Sequence, residues 1–315
     1  PDLPKSVRIM EVGPRDGLQI EKTVLPTKDK VELVERLVEA GVKAIEVGSF
    51  VNPKAVPQMA DSGEIYRLLP RREDVEYHGL WLNAQGLERA LENGRVHVTG
   101  KLMIAASDAF LKRNTNRSIA ETLASFPLWI ARYKAAGIEA DELHVGAAFG
   151  CNFQGDVPVS SVVDLIARGE EVMAREGCTL RGVSLADTMG WGTPLRTRQL
   201  IGAVRERWSR ANVKLHLHDT RGTAIASAAA ALELGVHEFD SSIGGLGGCP
   251  FAGNKGAAGN VCSEDLVFLC EEMGIETGID LDLLIAAALR AQELVGHELP
   301  GKLMKSGSLG QYRRH

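Results

Sequence analysis

The run Leu215-His216-Leu217-His218-Asp219-Thr220 sets two imidazoles one residue apart, each preceded by leucine. Residues two apart on an extended strand share a face, so His216 and His218 can reach one metal ion. Neutral imidazoles suit Zn, Mn, Co, Fe or Ni, and tolerate Mg in a mixed oxygen site. The same spacing also fits two partly buried histidines with structural hydrogen bonds. Gly13-Pro14-Arg15-Asp16-Gly17 adds a carboxylate able to balance a divalent cation. It also adds a guanidinium whose permanent charge and forked donors suit an anionic intermediate. A turn with a local salt bridge explains Arg15-Asp16 equally well. Glu46 and Asp187 each read, alone, as a helix cap or an ion-pair partner. Gly244-Gly245-Leu246-Gly247-Gly248-Cys249-Pro250 is rich in residues free to adopt positive φ, as expected of a loop that closes over substrate. A shielded Cys249 thiol stays protonated near neutral pH and can act as a general acid. A loop cysteine without a role is the plainer account. Asn260, after a second glycine-rich run, offers an amide oxygen to a metal shell.

These groups matter only if the chain brings them to one place. Short apolar, β-branched runs alternate with helical patterns along the whole sequence. Strands are expected at Val7–Val12, Ala44–Gly48, Glu76–Trp81, Val98–Ile104, Glu142–Ala147, Gly182–Ala186, Val213–His218 and Glu238–Ser242. Helices are expected at Lys28–Ala40, Ser118–Ala136, Ser160–Arg175, Leu195–Ser209 and Thr223–Leu234, with another near Leu281–Val295. Gly41, Gly137 and Gly235 follow three of these helices, as glycine does at a C-terminal cap. Eight strand–helix repeats imply a parallel sheet with right-handed crossovers. A doubly wound open sheet is the rival, but no Gly-x-Gly-x-x-Gly follows the first strand. The pattern therefore predicts an α/β (β/α)8 TIM barrel with a small C-terminal helical appendage: 1–275 the catalytic barrel, 276–315 the extension. In such a barrel, functional residues collect at the carboxyl ends of strands. His216 and His218 end the seventh strand, Glu46 the second, and Asp16 and Asp187 follow the first and sixth. Asp16 lies next to the seventh strand only across the eighth, yet can still reach the barrel mouth.

At 315 residues, the chain accommodates one barrel, which needs about 250, plus an appendage. Hydrophobic residues at 44% and charged residues at 24% give an ordinary globular balance, able to bury a core without disulfides. A net charge of −5 and a pI near 6.0 argue against nucleic acid as the main partner. Five cysteines at 151, 178, 249, 262 and 270 form no CxxC pair, which reads as a reducing, cytoplasmic protein. Pro1-Asp2-Leu3-Pro4 has the features of neither a secretory nor a mitochondrial leader. No apolar run approaches 18 residues, so no membrane span is expected. Cys151, Cys178, Cys262 and Cys270 read as core or incidental residues, and Trp191 and the remaining histidines carry no specific reading.

Taken together, the motifs are recognisable. Glu11–Gln19 (EVGPRDGLQ), Ser49–Met59 (SFVNPKAVPQM), Ser184–Gly190 (SLADTMG), His216–Gly222, Gly245–Pro250 (GLGGCP) and Asn260–Asp265 (NVCSED) resemble, in order, the signatures of the 3-hydroxy-3-methylglutaryl-CoA lyase family. The resemblance covers nearly the whole chain and implies a TIM-barrel metallolyase that splits a 3-hydroxyacyl-CoA into acetyl-CoA and a keto product. It implies Mg or Mn on Asp16, His216, His218 and Asn260, an acyl-CoA substrate, and a homodimer or higher homo-oligomer. Arg15 would stabilise the enolate and Cys249 would act in the proton transfer that quenches it. Glu46 and Asp187 would orient metal-bound groups, with Asp16 and His216 in the catalytic set. Arg15, Gln19, Ser49, Thr188 and Glu264 would contact substrate, and Glu11 is a further candidate. Hydroxymethylglutaryl-CoA is the leading substrate, with citramalyl-CoA the nearest rival and a Claisen-type synthase the second. Two departures bear on the acyl group: Ile20 stands where the family has Asn, and the stretch from Cys249 to Asn260 is two residues longer than usual, which makes Asn254 a competing ligand.

Overall fold

A computed structural model describes residues 3–248 and 258–313. Eight strands appear in chain order: β1 (Arg8–Glu11), β2 (Ala44–Ser49), β3 (Glu76–Leu80), β4 (Gly100–Ala105), β5 (Ala140–Gly146), β6 (Gly182–Ala186), β7 (Asn212–His216) and β8 (Glu238–Ser241). Helices separate successive strands from β1 to β8, among them Thr27–Glu39, Ile119–Ala135, Val159–Arg175, Pro194–Arg207 and Ala224–Glu233. This repeat of parallel strand and helix is the α/β TIM-barrel fold, as expected. Ser263–Glu272, Leu281–Val295 and Leu303–Ser306 are helices at the C-terminal end. No helix among the described residues is long and apolar enough to cross a membrane.

The chain packs as two compact units. The first, Thr99–Glu238, carries β4 to β7 in the order β7-β6-β5-β4, all parallel. Leu143, Val145, Leu185 and Leu215 are buried on its strands, and Leu200, Ile201 and Val204 on the helix Pro194–Arg207. The second unit holds Lys5–Val98, Phe239–Gly248 and the chain from residue 258. Its strand order is β3-β2-β1-β8, with Met10 opposite Ala44 and Ala44 opposite Glu76. Leu33, Val34 and Leu37, at helical spacing on Thr27–Glu39, are fully buried and supply its core with Ile45, Ile65 and Tyr66. Gly41, Gly137 and Gly235 have φ of 101°, 73° and 75°, the left-handed conformation that ends each preceding helix at little steric cost.

Strand limits shift by a residue or two from expectation. The most consequential shift is in β7, which ends at His216 rather than His218. The Leu-His alternation of the sequence outlasts the strand there, and Leu217 and His218 both stay buried, at 1% and 7% exposed.

Candidate active site

In the first unit, the end of β7 puts the Nε2 atoms of His216 and His218 3.2 Å apart. Two nitrogens bound to one ion at about 2.1 Å are separated by about 3.0 Å at octahedral and about 3.4 Å at tetrahedral angles. The pair already has that bite. His218 is 7% exposed, in a loop beyond β7 that turns at Asp219, whose carboxylate accepts the Ala224 N–H and caps the next helix.

Beside them, the Asp187 N–H donates to the carbonyl of His216 at 2.8 Å, continuing the ladder past the end of β6. The Asp187 carboxylate is buried and accepts the N–H groups of Trp191 and Gly192, each at 2.8 Å. Burial raises its pKa to about 6, while those two donors and the charges of Arg221 and His216 work in the opposite direction. Thr188 turns its hydroxyl toward the β5 loop, where it accepts the Ala147 N–H at 2.9 Å. Ala147 has φ of 49°, unusual for a residue with a Cβ, and that hydrogen bond helps hold it. Trp191, silent in the sequence, is a support: its indole donates to Asn152 at 2.7 Å while its backbone orients Asp187. Only the fold brings these two contacts together.

In the second unit, the chain leaves β1 in a wide helical turn in which the N–H groups of Arg15, Asp16 and Gly17 all point at the Val12 carbonyl. Glycine is required at both ends of this turn. A Cβ on Gly13 would lie 2.7 Å from the Glu11 carboxylate, and one on Gly17 2.7 Å from the Leu246 side chain. The turn presents a polar chain. Arg15 Nε donates to Glu46, Arg15 to Asp16 Oδ1 at 3.2 Å, and Asn260 Nδ2 to Asp16 Oδ2 at 2.9 Å. Burial opposes the Arg15 charge, but Glu46 and Asp16 outweigh it, so the guanidinium stays protonated. The β2–β3 register shifts between Glu46 and Gly48, the kind of irregularity that re-aims a side chain. The amide oxygen of Asn260, which is 3% exposed, is buried without a hydrogen-bond partner.

Glu11 is fully buried and accepts three hydrogen bonds: from Gly13 N at 2.8 Å, Ile243 N at 2.9 Å and Ser263 Oγ at 2.6 Å. It thus ties the Arg15 turn to the segment leaving β8. Glu264 accepts from Gly244 N at 2.9 Å and is also fully buried, beneath that segment. Burial raises these two carboxyls to about 7 and about 8. Three of the segment's four glycines adopt positive φ: 63° at Gly244, 72° at Gly245 and 98° at Gly247. Ser49 is buried with its amide on Ser62 Oγ, Gln19 is half-buried, and Ile20 is exposed at 40%. Cys249 and Asn254 lie outside the described residues. Cys151, Cys178, Cys262 and Cys270 are buried and unbridged, as core residues.

The fold and these strand-end groups define a TIM-barrel protein with imidazole, carboxylate and amide donors suited to a metal ion. The HMGL-like family model matches residues 6–290, and the chain belongs to that family. It is 44% identical over 297 residues, 94% of this chain and 95% of the relative, to the 3-hydroxy-3-isohexenylglutaryl-CoA/hydroxy-methylglutaryl-CoA lyase of Pseudomonas aeruginosa. It is 40% identical over 313 residues, 96% of this chain and 95% of the relative, to the (R)-citramalyl-CoA lyase of Chloroflexus aurantiacus. Among solved structures, the HMG-CoA lyase from Acenitobacter baumannii in complex with coenzyme A and 3-methylmalate superposes with a TM-score of 0.85 at 36% identity, covering 99% of this chain and 97% of that one.

Proposed function

We propose that this chain is a metal-dependent carbon–carbon lyase that cleaves 3-hydroxy-3-methylglutaryl-CoA to acetyl-CoA and acetoacetate. The observation that carries the chemistry is the His216–His218 pair, whose nitrogens stand 3.2 Å apart at the end of a barrel strand. The acyl group is read from the relatives named for that substrate. Asp16, His216, His218 and Asn260 would hold Mg or Mn, with the unpartnered amide oxygen of Asn260 a fitting donor. When bound, the cation lowers the pKa of the substrate's tertiary hydroxyl and orients it.

The rest falls to side chains. Arg15, fixed by Glu46 and Asp16, offers permanent positive charge to the oxygen of the nascent thioester enolate. Asp187, held by the Trp191 and Gly192 N–H groups, would orient its neighbours, and a carboxylate or imidazole of the metal-holding set, Asp16 or His216, would take the proton of the tertiary hydroxyl as the carbon–carbon bond breaks. Cys249, which follows β8 in the sequence, would deliver the proton that quenches the enolate carbon. Gln19, Ser49, Thr188 and Glu264 complete the proposed substrate set, Glu264 acting through the loop it supports. We read residues 1–275 as the catalytic barrel, 276–315 as its extension, and a homo-oligomer as the working assembly.

A second reading, cleavage of citramalyl-CoA, is favoured by the 40% identity to the Chloroflexus lyase and by the altered Cys249–Asn260 stretch. The test is product analysis after incubating the purified chain and Mg or Mn with each thioester. Acetoacetate formed with the higher kcat/KM supports the first reading. Pyruvate formed from citramalyl-CoA with a clearly higher kcat/KM replaces it with the second.

A further inference from the structure

Away from these strand ends, β3 carries a second set of metal-type donors. Glu76 and His78 are two apart and therefore on one face of the strand. His97 joins them because its backbone N–H donates to the Tyr77 carbonyl at 2.7 Å, laying residue 97 alongside β3. The Glu76 carboxylate is 2.8 Å from His78 Nε2 and 3.8 Å from His97 Nε2, and the two rings are 4.7 Å apart between centroids. All three ligand atoms lie within 4.8 Å of one another. Tetrahedral ligands at about 2.0–2.1 Å from an ion are about 3.3 Å apart, so each carboxylate–imidazole distance needs to change by about half an ångström. His97, 46% exposed at its side chain, is free to make that change.

We propose that Glu76, His78 and His97 form a binding site for a zinc-type transition-metal ion, separate from the His216–His218 pair. Two imidazoles and a carboxylate select Zn, Ni or Cu over Mg, and partial exposure leaves a position for water. Cationic side chains oppose the ion: Arg8, on β1, is paired with the same Glu76 oxygen that His78 contacts, and Arg71, Arg72 and Arg95 line the same cleft. That competition sets the direction of a test. The full chain, stripped with chelator and kept in excess Mg, is titrated with Zn²⁺ by calorimetry and with Co²⁺ by visible absorption. His97→Ala should weaken one Zn²⁺ site by about a hundredfold or more, the scale of losing a metal-supporting group, whereas Arg8→Gln should tighten it. The same site should persist in His218→Ala. His97 is exposed enough for His97→Ala to fold, which circular dichroism checks before titration. Unchanged Zn²⁺ stoichiometry and affinity in His97→Ala, or loss of all Zn²⁺ binding in His218→Ala, overturns the proposal.

Discussion

Glu11→Gln isolates the cost of a buried charge. The Glu11 carboxyl is fully buried, and burial lifts its pKa from 4.5 to about 7 despite donors from Ser263, Ile243 and Gly13. At roughly 1.4 kcal/mol per pH unit, that rise corresponds to about 3 kcal/mol. The sign follows from linkage. Below pH 4.5 the group is protonated in both folded and unfolded chains, and its contribution to stability is fully present. It is lost as pH rises through about 7, so above that pH the native state carries a buried carboxylate at a cost of about 3 kcal/mol. Glutamine preserves the shape and most of the bonding. Its oxygen can accept from Gly13 and Ile243, and its NH2 can donate to Ser263 Oγ, which is free to donate in turn to Ser241 Oγ at 2.7 Å. Urea unfolding of both proteins from pH 5 to pH 9 should give nearly equal stabilities at the acid end. At the alkaline end the variant should be more stable by about 3 kcal/mol. A variant less stable by the same amount at every pH would show instead that the three donors keep Glu11 ionised, and the reasoning from burial would fail.

His218→Ala should lose bound metal and turnover together, read by metal content and product formation; full turnover in the presence of chelator would remove the metal from the reaction. Cys249→Ser should lower kcat about a hundredfold, the scale of a proton-transfer group, while leaving metal content and CoA affinity intact. Unchanged kcat would make the thiol a bystander. Arg15→Lys should lower kcat by about 10²–10³-fold with little change in KM, because lysine lacks the planar fork whose Nε and Nη1 hold Glu46 and Asp16 separately. A change confined to KM would assign Arg15 to binding alone.

The repeat architecture was legible because strand and helix alternate with different hydrophobic periods, and the caps at Gly41, Gly137 and Gly235 marked where helices stop. The histidine pair was legible because its geometry is local: two residues of one strand end. Strand ends were less so. Leu217 and His218 continue the Leu-His alternation of the sequence past the last residue of β7, so the pattern does not mark where the strand ends. Glu11 and Glu264 were singled out through the family resemblance, but the supporting contacts they and Trp191 make were not legible. Glu11 meets Ile243 and Ser263 across more than two hundred residues, and Trp191 steadies Asp187 through a backbone N–H that every residue type but proline possesses. Such roles belong to the fold, and the residue type gives no sign of them.

The polar chain Glu46–Arg15–Asp16–Asn260 shows why single residues of this site should not be assigned separate energies. Two carboxylates and one guanidinium leave it with one net negative charge, a fit for one further positive group. Asp16 stands at the junction, one oxygen on Arg15 and the other on the amide of Asn260. The amide nitrogen is committed to that contact, so the carbonyl end is the part of Asn260 left for a ligand, and it is the atom buried without a partner. Removing Asn260 would therefore do more than delete a donor: it would release one oxygen of Asp16, and Arg15, held partly by Asp16, would lose one of the two anchors that aim it. Substitutions within this chain should accordingly be strongly non-additive, as expected for groups that share partners.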